Sequence, residues 1–345
     1  MNHRDLVGQQ SCNTPLMMEE EEYELCFPQL LNASCKKIKH SYFGTVFLSF
    51  ILCFISLITV LLNLLLIISI SYFRQLQTST NLILLSLAVS DLFVGLLLFI
   101  QITLTDGCWY LGDIVCILYF ISAVINTSAS VGNMVLISID RYVAICDPLH
   151  YPTKVTVKRI QLCISLCWSC SLGYSIVIWS DNLKHPGRLS SCSGECIVIV
   201  GIIEQFVDLF LTLIIPITVI ILLYLRVFVV AVSQVQAMRS HVAASSQKHS
   251  GTVIIQKSEL KAAMILGVVV VAFLMCLCPY YCVILTAQST RLNNVSAVFV
   301  LCLFYFNSCL NPMIYAVFYP WFRKAIKLIV TLQVLKSGSA DFRIL

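Results

Sequence analysis

The chain has 345 residues, of which 59% are hydrophobic and only 11% charged, with a formal net charge of +5. Soluble domains typically carry about 25% charged residues, so this composition excludes an ordinary soluble protein and indicates one that lies in a membrane. The modest positive charge gives no indication of a nucleic-acid partner.

Seven apolar segments follow one another along the chain, each long enough to cross a bilayer as a helix of about 20 residues. We predict them at 42–71, 79–104, 113–143, 159–180, 198–230, 260–287 and 295–317. No sequence repeat or glycine-rich linker separates them. The predicted fold is therefore all-α, a seven-transmembrane-helix bundle. We call its helices spans 1 to 7.

The remaining segments flank this bundle. We predict an N-terminal tail at 1–40, the seven-span domain at 41–318, a short amphipathic eighth helix at 319–331 and a cytoplasmic tail at 332–345. The eighth helix is expected to lie on the lipid bilayer, because Arg323, Lys324 and Lys327 accompany an apolar run.

Basic residues predict the orientation. More than half of the 22 Lys and Arg residues fall on the side of the bundle that holds Arg74, Lys154 and Arg159. Lys and Arg near the ends of spans remain in the cytoplasm, so we expect the N-terminal tail to be extracellular.

The end of span 7 carries the most specific motif, NSCLNPMIYAVFYPWF from Asn307 to Phe322. Pro312 interrupts the helix and frees a backbone carbonyl, which nearby polar side chains must satisfy. The sequence Asn-Pro-x-x-Tyr at 311–315 resembles the motif of rhodopsin-type receptors. With the aromatic residues at 319–322, the longer pattern resembles the fingerprint of trace amine-associated receptors.

This resemblance covers about residues 26–331. It implies a G-protein-coupled chemosensory receptor for small protonated amines, which activates a heterotrimeric G protein of the stimulatory or olfactory type and raises cAMP. It also implies a multi-pass protein of the plasma membrane, in the cilia of olfactory sensory neurons.

The third span ends in a sequence that resembles the Asp-Arg-Tyr switch of the same family. Arg141 keeps its proton and needs acceptors at the membrane edge, and Asp140 and Glu259 are the expected acceptors. An ordinary interfacial charge cluster is the alternative. The resemblance assigns eight residues to this switch: Asp140, Arg141, Tyr142, Glu259, Tyr224, Asn311, Pro312 and Tyr315.

An acidic residue, Asp91, lies deep in span 2, and an ionisable group at that depth indicates a function. The neighbours implied by the resemblance offer oxygen ligands that suit a hard cation such as sodium. They are Asn126, Ser130, Asn307, Ser308 and Asn311. The alternative is a hydrogen-bonded polar core without an ion, and no other cofactor is expected.

A second acidic residue lies in the outer half of span 5. Most amine receptors hold the ligand's ammonium with an aspartate in span 3, but this chain has Ala123 there. Asp208 lies eight residues before Pro216, which is about 12 Å toward the outside at 1.5 Å per residue. The outer halves of spans 3, 5, 6 and 7 contain no Lys or Arg. A buried carboxylate needs a cation, so Asp208 is predicted to bind an ammonium.

Asp208 resembles the span-5 aspartate of a fish-type branch of the family. The alternative is a protonated Asp208 that hydrogen-bonds to Asn126, Thr212 or a backbone carbonyl. Glu204, one turn above, is either a second ammonium contact or a solvated rim charge. Tyrosines nearby offer cation–π contacts or simply pack. The predicted ligand site comprises Asp208, Glu204, Thr212, Tyr280, Tyr281, Tyr305, Ala123 and Tyr119.

One further departure from the family lies in span 6, where Leu277 replaces the tryptophan that transmits ligand binding to the inner half. Pro279 still kinks the helix. The hinge is therefore expected to survive without its tryptophan.

Seven of the 17 cysteines fall in predicted outer segments, where an oxidising environment favours disulfides. The resemblance implies a Cys116–Cys196 bridge and a second bridge from Cys192 to the N-terminal tail. Cys26 is favoured over Cys35 as the tail partner. Asn32 begins an Asn-Ala-Ser sequence and is a predicted glycosylation site.

Two other classes of function remain open. One is a receptor of the same fold for a neutral or peptide ligand. The other is a cation transporter, although such folds usually show internal repeats. The sequence contains no metal-spaced His pair, nucleophile elbow or close carboxylate pair, so no enzyme is expected.

Overall fold

The computed structural model describes residues 23–30, 32–38, 42–105, 107–185, 191–196, 201–244, 250–287 and 294–333. Spans 1 to 4 are Tyr42–Tyr72, Ser79–Thr105, Asp113–Cys146 and Val157–Ile178. Span 5 comprises Ile202–Asp208, a wide π-helical turn at Leu209–Ile214, and Ile215–Ala244. Spans 6 and 7 are Ser250–Ala287 and Asn294–Phe318. Shorter helices are Arg74–Leu76, Tyr151–Lys154, Ser180–Lys184 and Pro320–Val330.

The predicted seven-helix bundle is confirmed, since seven helices of the described chain are long and apolar enough to cross a membrane. Spans 5 and 6 extend at their inner ends beyond the predicted 198–230 and 260–287. Polar residues at these ends remain helical because the backbone hydrogen bonds of a helix are satisfied internally, whether or not lipid surrounds them. The short eighth helix, Pro320–Val330, begins with a proline at its first position, where the missing N–H is not needed.

Span 1 shows how the sequence separates the lipid face from the core. Phe47, Phe50 and Phe54 are more than half exposed and follow the 3–4 spacing of one helix face. The opposite face carries Ser56 and Asn63, both fully buried. Apolar side chains therefore face the bilayer, and small or polar ones pack between helices, as expected where lipid is as apolar as a leucine.

The helix break at Pro312 is compensated from another helix. Pro312 lacks an N–H, so the carbonyl of Ser308, four residues earlier, loses its helical partner. The Asn63 side-chain amide donates to that carbonyl at 3.0 Å and also to the carbonyl of Thr59 at 2.9 Å. The polar group that satisfies the freed carbonyl therefore comes from span 1 and not from the neighbouring residues of the motif.

The described part of the tail forms a small cap at the end of the bundle that we call outer. Tyr23–Leu25 and Lys36–Ile38 pair as antiparallel strands. Between them, the Cys35 amide donates to the Ser193 carbonyl at 2.9 Å, and the Ser193 amide donates to the Ala33 carbonyl at 2.6 Å. The tail thus pairs through backbone hydrogen bonds with the loop between spans 4 and 5. Asn32 is exposed in the turn of this cap, and its glycosylation stays a prediction.

Three disulfides join the described residues at this end, and one expected pairing is wrong. Cys116 bonds to Cys196, as the resemblance implies. Cys192, however, bonds to Cys35, and Cys26 bonds to Cys108 in the loop between spans 2 and 3.

The pairing of the tail with residue 193 explains the correction. It brings the Cα atoms of Cys35 and Cys192 to 5.0 Å, within the range for a disulfide. Cys26 instead packs over Gly194. The contact is so close that a Cβ atom added to Gly194 would lie 2.8 Å from the Cys26 Cβ. The Gly194 carbonyl accepts from the Trp109 amide, which holds the neighbouring Cys108 at the same place.

Replacing Cys108 tests this connectivity. In Cys108→Ser, Cys26 should become a free thiol while the Cys35–Cys192 and Cys116–Cys196 bonds persist, because the backbone pairing that holds Cys35 beside Cys192 does not involve Cys108 and Cys116 lies on the separate helix of span 3. Alkylation with N-ethylmaleimide before reduction, followed by peptide mass spectrometry, measures the result. A cross-linked peptide that joins Cys26 to Cys192 in the unmodified protein would contradict the structure.

Candidate functional site

A cavity of about 390 Å³ opens between spans 2 to 7 in the outer half of the bundle. Seven of the eight residues predicted for the ligand site line it: Asp208, Thr212, Tyr280, Tyr281, Tyr305, Ala123 and Tyr119. The cavity wall otherwise consists mainly of apolar and aromatic side chains, with few polar groups. This composition is typical of sites for small molecules.

The acid of the cavity, Asp208, is held by a tyrosine from span 4. The Tyr174 hydroxyl donates to Asp208 Oδ1 at 2.9 Å. Asp208 ends the α-helical segment Ile202–Asp208, immediately before the wide turn Leu209–Ile214, and single wide turns of this kind often occur at functional sites. Within the described chain, none of the ion pairs involves Asp208. Arg291, a basic residue in the segment between spans 6 and 7, lies outside the described residues.

The hydrogen-bond partners that a protonated Asp208 was expected to use make other contacts. The Thr212 hydroxyl donates to the backbone carbonyl of Asp208 at 2.6 Å. That hydroxyl has one proton, so the contact of 2.8 Å between Thr212 and Tyr281 has the Tyr281 hydroxyl as donor. The Asn126 amide donates to the carbonyl of Ser122 at 2.7 Å. The carboxylate of Asp208 therefore keeps an acceptor capacity that these groups do not use.

The far end of the cavity is polar but carries no carboxylate among the described lining residues. The Tyr119 hydroxyl donates to the side-chain oxygen of Gln101, and the Tyr305 hydroxyl lies 3.0 Å from the Tyr119 hydroxyl and 3.3 Å from the same Gln101 oxygen. Ala123 lies one helical turn below Tyr119. This end is therefore closed by a neutral network, at the place where the family resemblance would put an acid.

Aromatic rings form the remaining walls. Tyr280 packs against Phe304 with ring centroids 4.4 Å apart, and Phe120 stacks on Trp179 at 5.8 Å. Leu277 is not among the lining residues; it is 3% exposed and belongs to the main core. Leu277 thus packs where the family has a tryptophan.

Glu204 is the one predicted ligand residue that does not line the cavity; Gln205 takes that place. The Glu204 carboxylate folds back toward Gly201. A Cβ atom added to Gly201 would lie only 2.1 Å from a Glu204 oxygen. Glu204 lies in the first turn of Ile202–Asp208, where a negative charge is stabilised by the helix dipole. The prediction of a second ammonium contact is thus not supported by its position, and the rim interpretation fits better.

Sequence reasoning missed Tyr174 and Gln101. Both are polar residues in the outer halves of spans, which was the available signal. Which faces of spans 2 and 4 turn toward the cavity depends on helix rotation, and apolar residues on all sides of these spans hid that rotation. Tyr174 touches the acid from span 4, outside the cavity wall.

A second acidic site lies in the middle of the bundle. Asp91 is completely buried, and the Asn311 amide donates to its Oδ2 at 2.8 Å. Ser130 donates to Ser90 at 3.0 Å. Buried oxygens without a hydrogen bond remain among the described residues on Asp91, Asn126, Asn307 and Asn311. Four oxygens of this type are the donor set that a hard cation prefers, so the residues fit a sodium ion, with Ser308 buried beside them.

The inner end of span 3 holds a buried ion pair. The Arg141 guanidinium donates to Asp140 Oδ2 at 2.6 and 3.0 Å and to the Thr80 hydroxyl at 2.9 Å. Asp140 and Arg141 are 1% and 3% exposed. A buried pair of this kind is stable only when further hydrogen bonds satisfy it, and Thr80 donates to Asp140 Oδ2 at 3.0 Å.

A tyrosine in the loop after span 3 completes the network around Asp140. The Tyr151 hydroxyl donates to Asp140 Oδ1 at 2.9 Å. Burial and the nearby Asp140 carboxylate raise the pKa of Tyr151 to about 12, so its hydroxyl keeps the proton that it donates at neutral pH. Sequence reasoning named neither Thr80 nor Tyr151.

The other predicted switch residues are placed as follows. The side chain of Glu259, in the span-6 helix, lies outside the described residues. Tyr224 and Tyr315 have buried hydroxyls with no hydrogen bond in the described part of the structure. Tyr142 packs beside the small cluster of Ile145 and Val227. The two buried tyrosine hydroxyls are groups that a rearranged Arg141 is suited to contact.

The sequence is similar to known proteins over most of its length. Residues 62–315 match the family described as 7 transmembrane receptor (rhodopsin family). The chain is 36% identical over 341 residues to trace amine-associated receptor 13c of Danio rerio, covering 95% of this chain and 98% of that protein. It is 37% identical to receptor 8b of Mus musculus, covering 92% and 95%, and 37% identical to receptor 6 of Homo sapiens, covering 93% and 95%.

Removing the Tyr151 hydroxyl tests the network around Asp140. Tyr151→Phe should destabilise the protein by about 1–3 kcal/mol, because a buried charged acceptor loses a hydrogen bond. Tyr142→Phe is the matched control, since its hydroxyl makes no hydrogen bond in the described part of the chain. Thermal unfolding in detergent measures both variants. Equal melting temperatures would contradict the role given to Tyr151.

Proposed function

This chain belongs to the rhodopsin family of seven-transmembrane receptors and, within it, to the trace amine-associated receptors, and we propose that it senses small protonated amines. Its relatives are receptors and not enzymes, so the chain is a receptor of this type as well. Membership of the family also makes it a multi-pass plasma-membrane protein that acts through a heterotrimeric G protein.

The observation that carries the proposal is the carboxylate of Asp208, the one carboxylate among the described residues that line the cavity. Asp208 lines the space and has a tyrosine as its side-chain partner, with no cation beside it in the described chain. Placing a charge in an apolar site costs several kcal/mol unless a partner offsets it. A protonated alkylamine supplies that partner, because amines of the lysine type stay charged to about pH 10.4.

The same cavity supports amine binding through span 5 instead of span 3. Ala123 leaves the usual anchor position without a charge, and Tyr119, Tyr305 and Gln101 close that end as a neutral network. Tyr280 offers an aromatic wall for the alkyl part or the cation, worth about 0.5–2 kcal/mol for a cation–π contact. This arrangement resembles the fish-type branch of the family.

The signalling part of the proposal follows from the inner network. Amine binding favours a state in which the Arg141–Asp140 contact opens and Arg141 turns toward Tyr224 and Tyr315. Span 6 then moves outward and admits the G protein, of the stimulatory or olfactory type, which raises cAMP. The N-terminal cap is extracellular in this proposal, and the cilia of olfactory neurons are the proposed location.

A sodium ion is proposed at Asp91. The oxygens of Asp91, Asn126, Asn307 and Asn311 that lack hydrogen bonds would hold it, with Ser130 and Ser308 adjacent. When bound, the ion supplies the positive charge that the buried carboxylate otherwise lacks. Asp91 would then favour the resting state of the bundle without contacting the amine.

A receptor for neutral or peptide ligands is the second candidate within the same fold. Such a receptor would need no charge at residue 208. Removing the charge of Asp208 therefore distinguishes it from an amine receptor. A cation transporter is a weaker candidate, because the acids Asp91 and Asp208 lie in separate sites and the family consists of receptors.

Neutralising Asp208 tests the proposed function. Asp208→Asn should raise the amine concentration for half-maximal cAMP response by more than a hundredfold, because losing one partner of a buried charge pair costs about 3 kcal/mol or more. Asp181→Asn, an exposed outer acid in the helix Ser180–Lys184, is the matched control and should respond normally. Surface expression is measured alongside. Full sensitivity of Asp208→Asn at equal expression would exclude the proposal.

Sodium provides a second test. Raising sodium against a choline background should lower amine affinity in the unmodified receptor, because the ion favours the resting state. Asp91→Asn should remove this dependence while amine binding itself remains. Competition binding in membranes measures both. A sodium effect that persists in Asp91→Asn would rule out this site.

A further inference from the structure

We infer that Tyr174 determines which oxygen of Asp208 meets the ligand, and that this makes the pocket selective for ammonium over guanidinium groups. The inference rests on the proposed function, since it concerns the same carboxylate. It begins from the contact of 2.9 Å between the Tyr174 hydroxyl and Asp208 Oδ1.

The carboxylate is held from one side only. Asp208 lines the cavity but Tyr174 does not, so the tyrosine approaches Oδ1 from outside the cavity wall. The Thr212 hydroxyl also lies near this carboxyl, but it donates its one proton to the backbone carbonyl of Asp208, so Oδ2 receives no proton from it. One oxygen is thus fixed to span 4, and the other remains for a group inside the cavity.

No neighbouring hydroxyl replaces Tyr174 in this role. Thr212 uses its proton on the backbone carbonyl of Asp208, and Tyr281 uses its proton on Thr212. These two contacts fix the backbone of the acid. Among the hydrogen bonds of the described residues, the one from Tyr174 reaches an oxygen of the Asp208 carboxylate, so we assign the rotation of that carboxylate to Tyr174.

A fixed carboxylate with one available oxygen distinguishes two kinds of cation. A guanidinium binds a carboxylate best through two parallel N–H bonds, one to each oxygen, from a rigid planar fork. An ammonium is a compact charge with rotatable donors and needs only one oxygen. Alkylamines and alkylguanidines are both charged at neutral pH, so geometry and not charge separates them here.

The test compares an n-alkylamine with the n-alkylguanidine of the same chain length in a cAMP assay on cells that express the full-length receptor. The unmodified receptor should respond to the amine at about tenfold lower concentration, the value of roughly one charged hydrogen bond. In Tyr174→Phe, the ratio of the alkylguanidine concentration to the alkylamine concentration for half-maximal response should approach one. Oδ1 then becomes available, and the carboxylate can rotate to meet both N–H groups of the guanidinium. The ratio of two ligands on the same cells is independent of expression.

Two further variants and one control separate positioning from folding. Replacing Tyr174 with 4-aminophenylalanine keeps a donor at the same reach and should restore the amine preference. Asp208→Glu carries its carboxylate past Tyr174 into the cavity and should also narrow the ratio. Tyr110→Phe removes a hydroxyl from an exposed outer tyrosine and should leave the ratio unchanged.

The outcomes that overturn the inference are distinct from failure of the proposed function. A parallel loss of both responses in Tyr174→Phe would show a merely structural role, and an unmodified receptor that responds equally to both ligands would exclude the selectivity. If either result is found and Asp208→Asn is still insensitive to amines, the inference about Tyr174 is wrong but the proposed amine-receptor function stands. An Asp208→Asn receptor with full amine sensitivity removes the proposed function, and this inference with it.

Discussion

A charge inside a bilayer-spanning bundle must have a partner, and the structure is organised around the places where this requirement is met in different ways. Asp140 at the inner edge is paired with Arg141 and receives hydroxyls from Thr80 and Tyr151. Asp91 in the middle has one amide from Asn311 and several oxygens without hydrogen bonds around it. Asp208 in the outer cavity has one phenol. Asp140 is thus neutralised by the protein itself, Asp91 is suited to bind an ion, and Asp208 is suited to bind a ligand.

This gradient assigns a role to each level of the bundle. The inner pair is a closed network that a conformational change must open. The central oxygens connect spans 2, 3 and 7, so an ion there would stabilise one arrangement of these spans. The outer acid lies on span 5, beside the wide turn Leu209–Ile214, where the lack of a proline N–H at Pro216 makes the helix easier to widen. A cation that draws Asp208 inward would therefore act on a helix segment with a local irregularity.

Much of the fold could be predicted because apolar length and basic flanks depend only on local sequence. The seven spans, the eighth helix and most of the ligand cavity follow from such patterns and from the motif around Pro312. Contacts between distant segments could not be predicted in this way. The partner of Cys192 depends on backbone pairing of the tail with Ser193, and the placement of Glu204 and Tyr174 depends on helix rotation. Asn63, which satisfies the carbonyl freed by Pro312, is 245 residues from its partner Ser308 in sequence.

The most direct measurement of the central claim is a cryo-electron microscopy structure of the receptor with a bound amine agonist. We predict that the ligand nitrogen lies within about 3 Å of Asp208 Oδ2, the normal distance for a charged hydrogen bond, with the Tyr174 hydroxyl still on Oδ1. A ligand nitrogen that lies instead among Gln101, Tyr119 and Tyr305, with Asp208 facing away from it, would contradict the account.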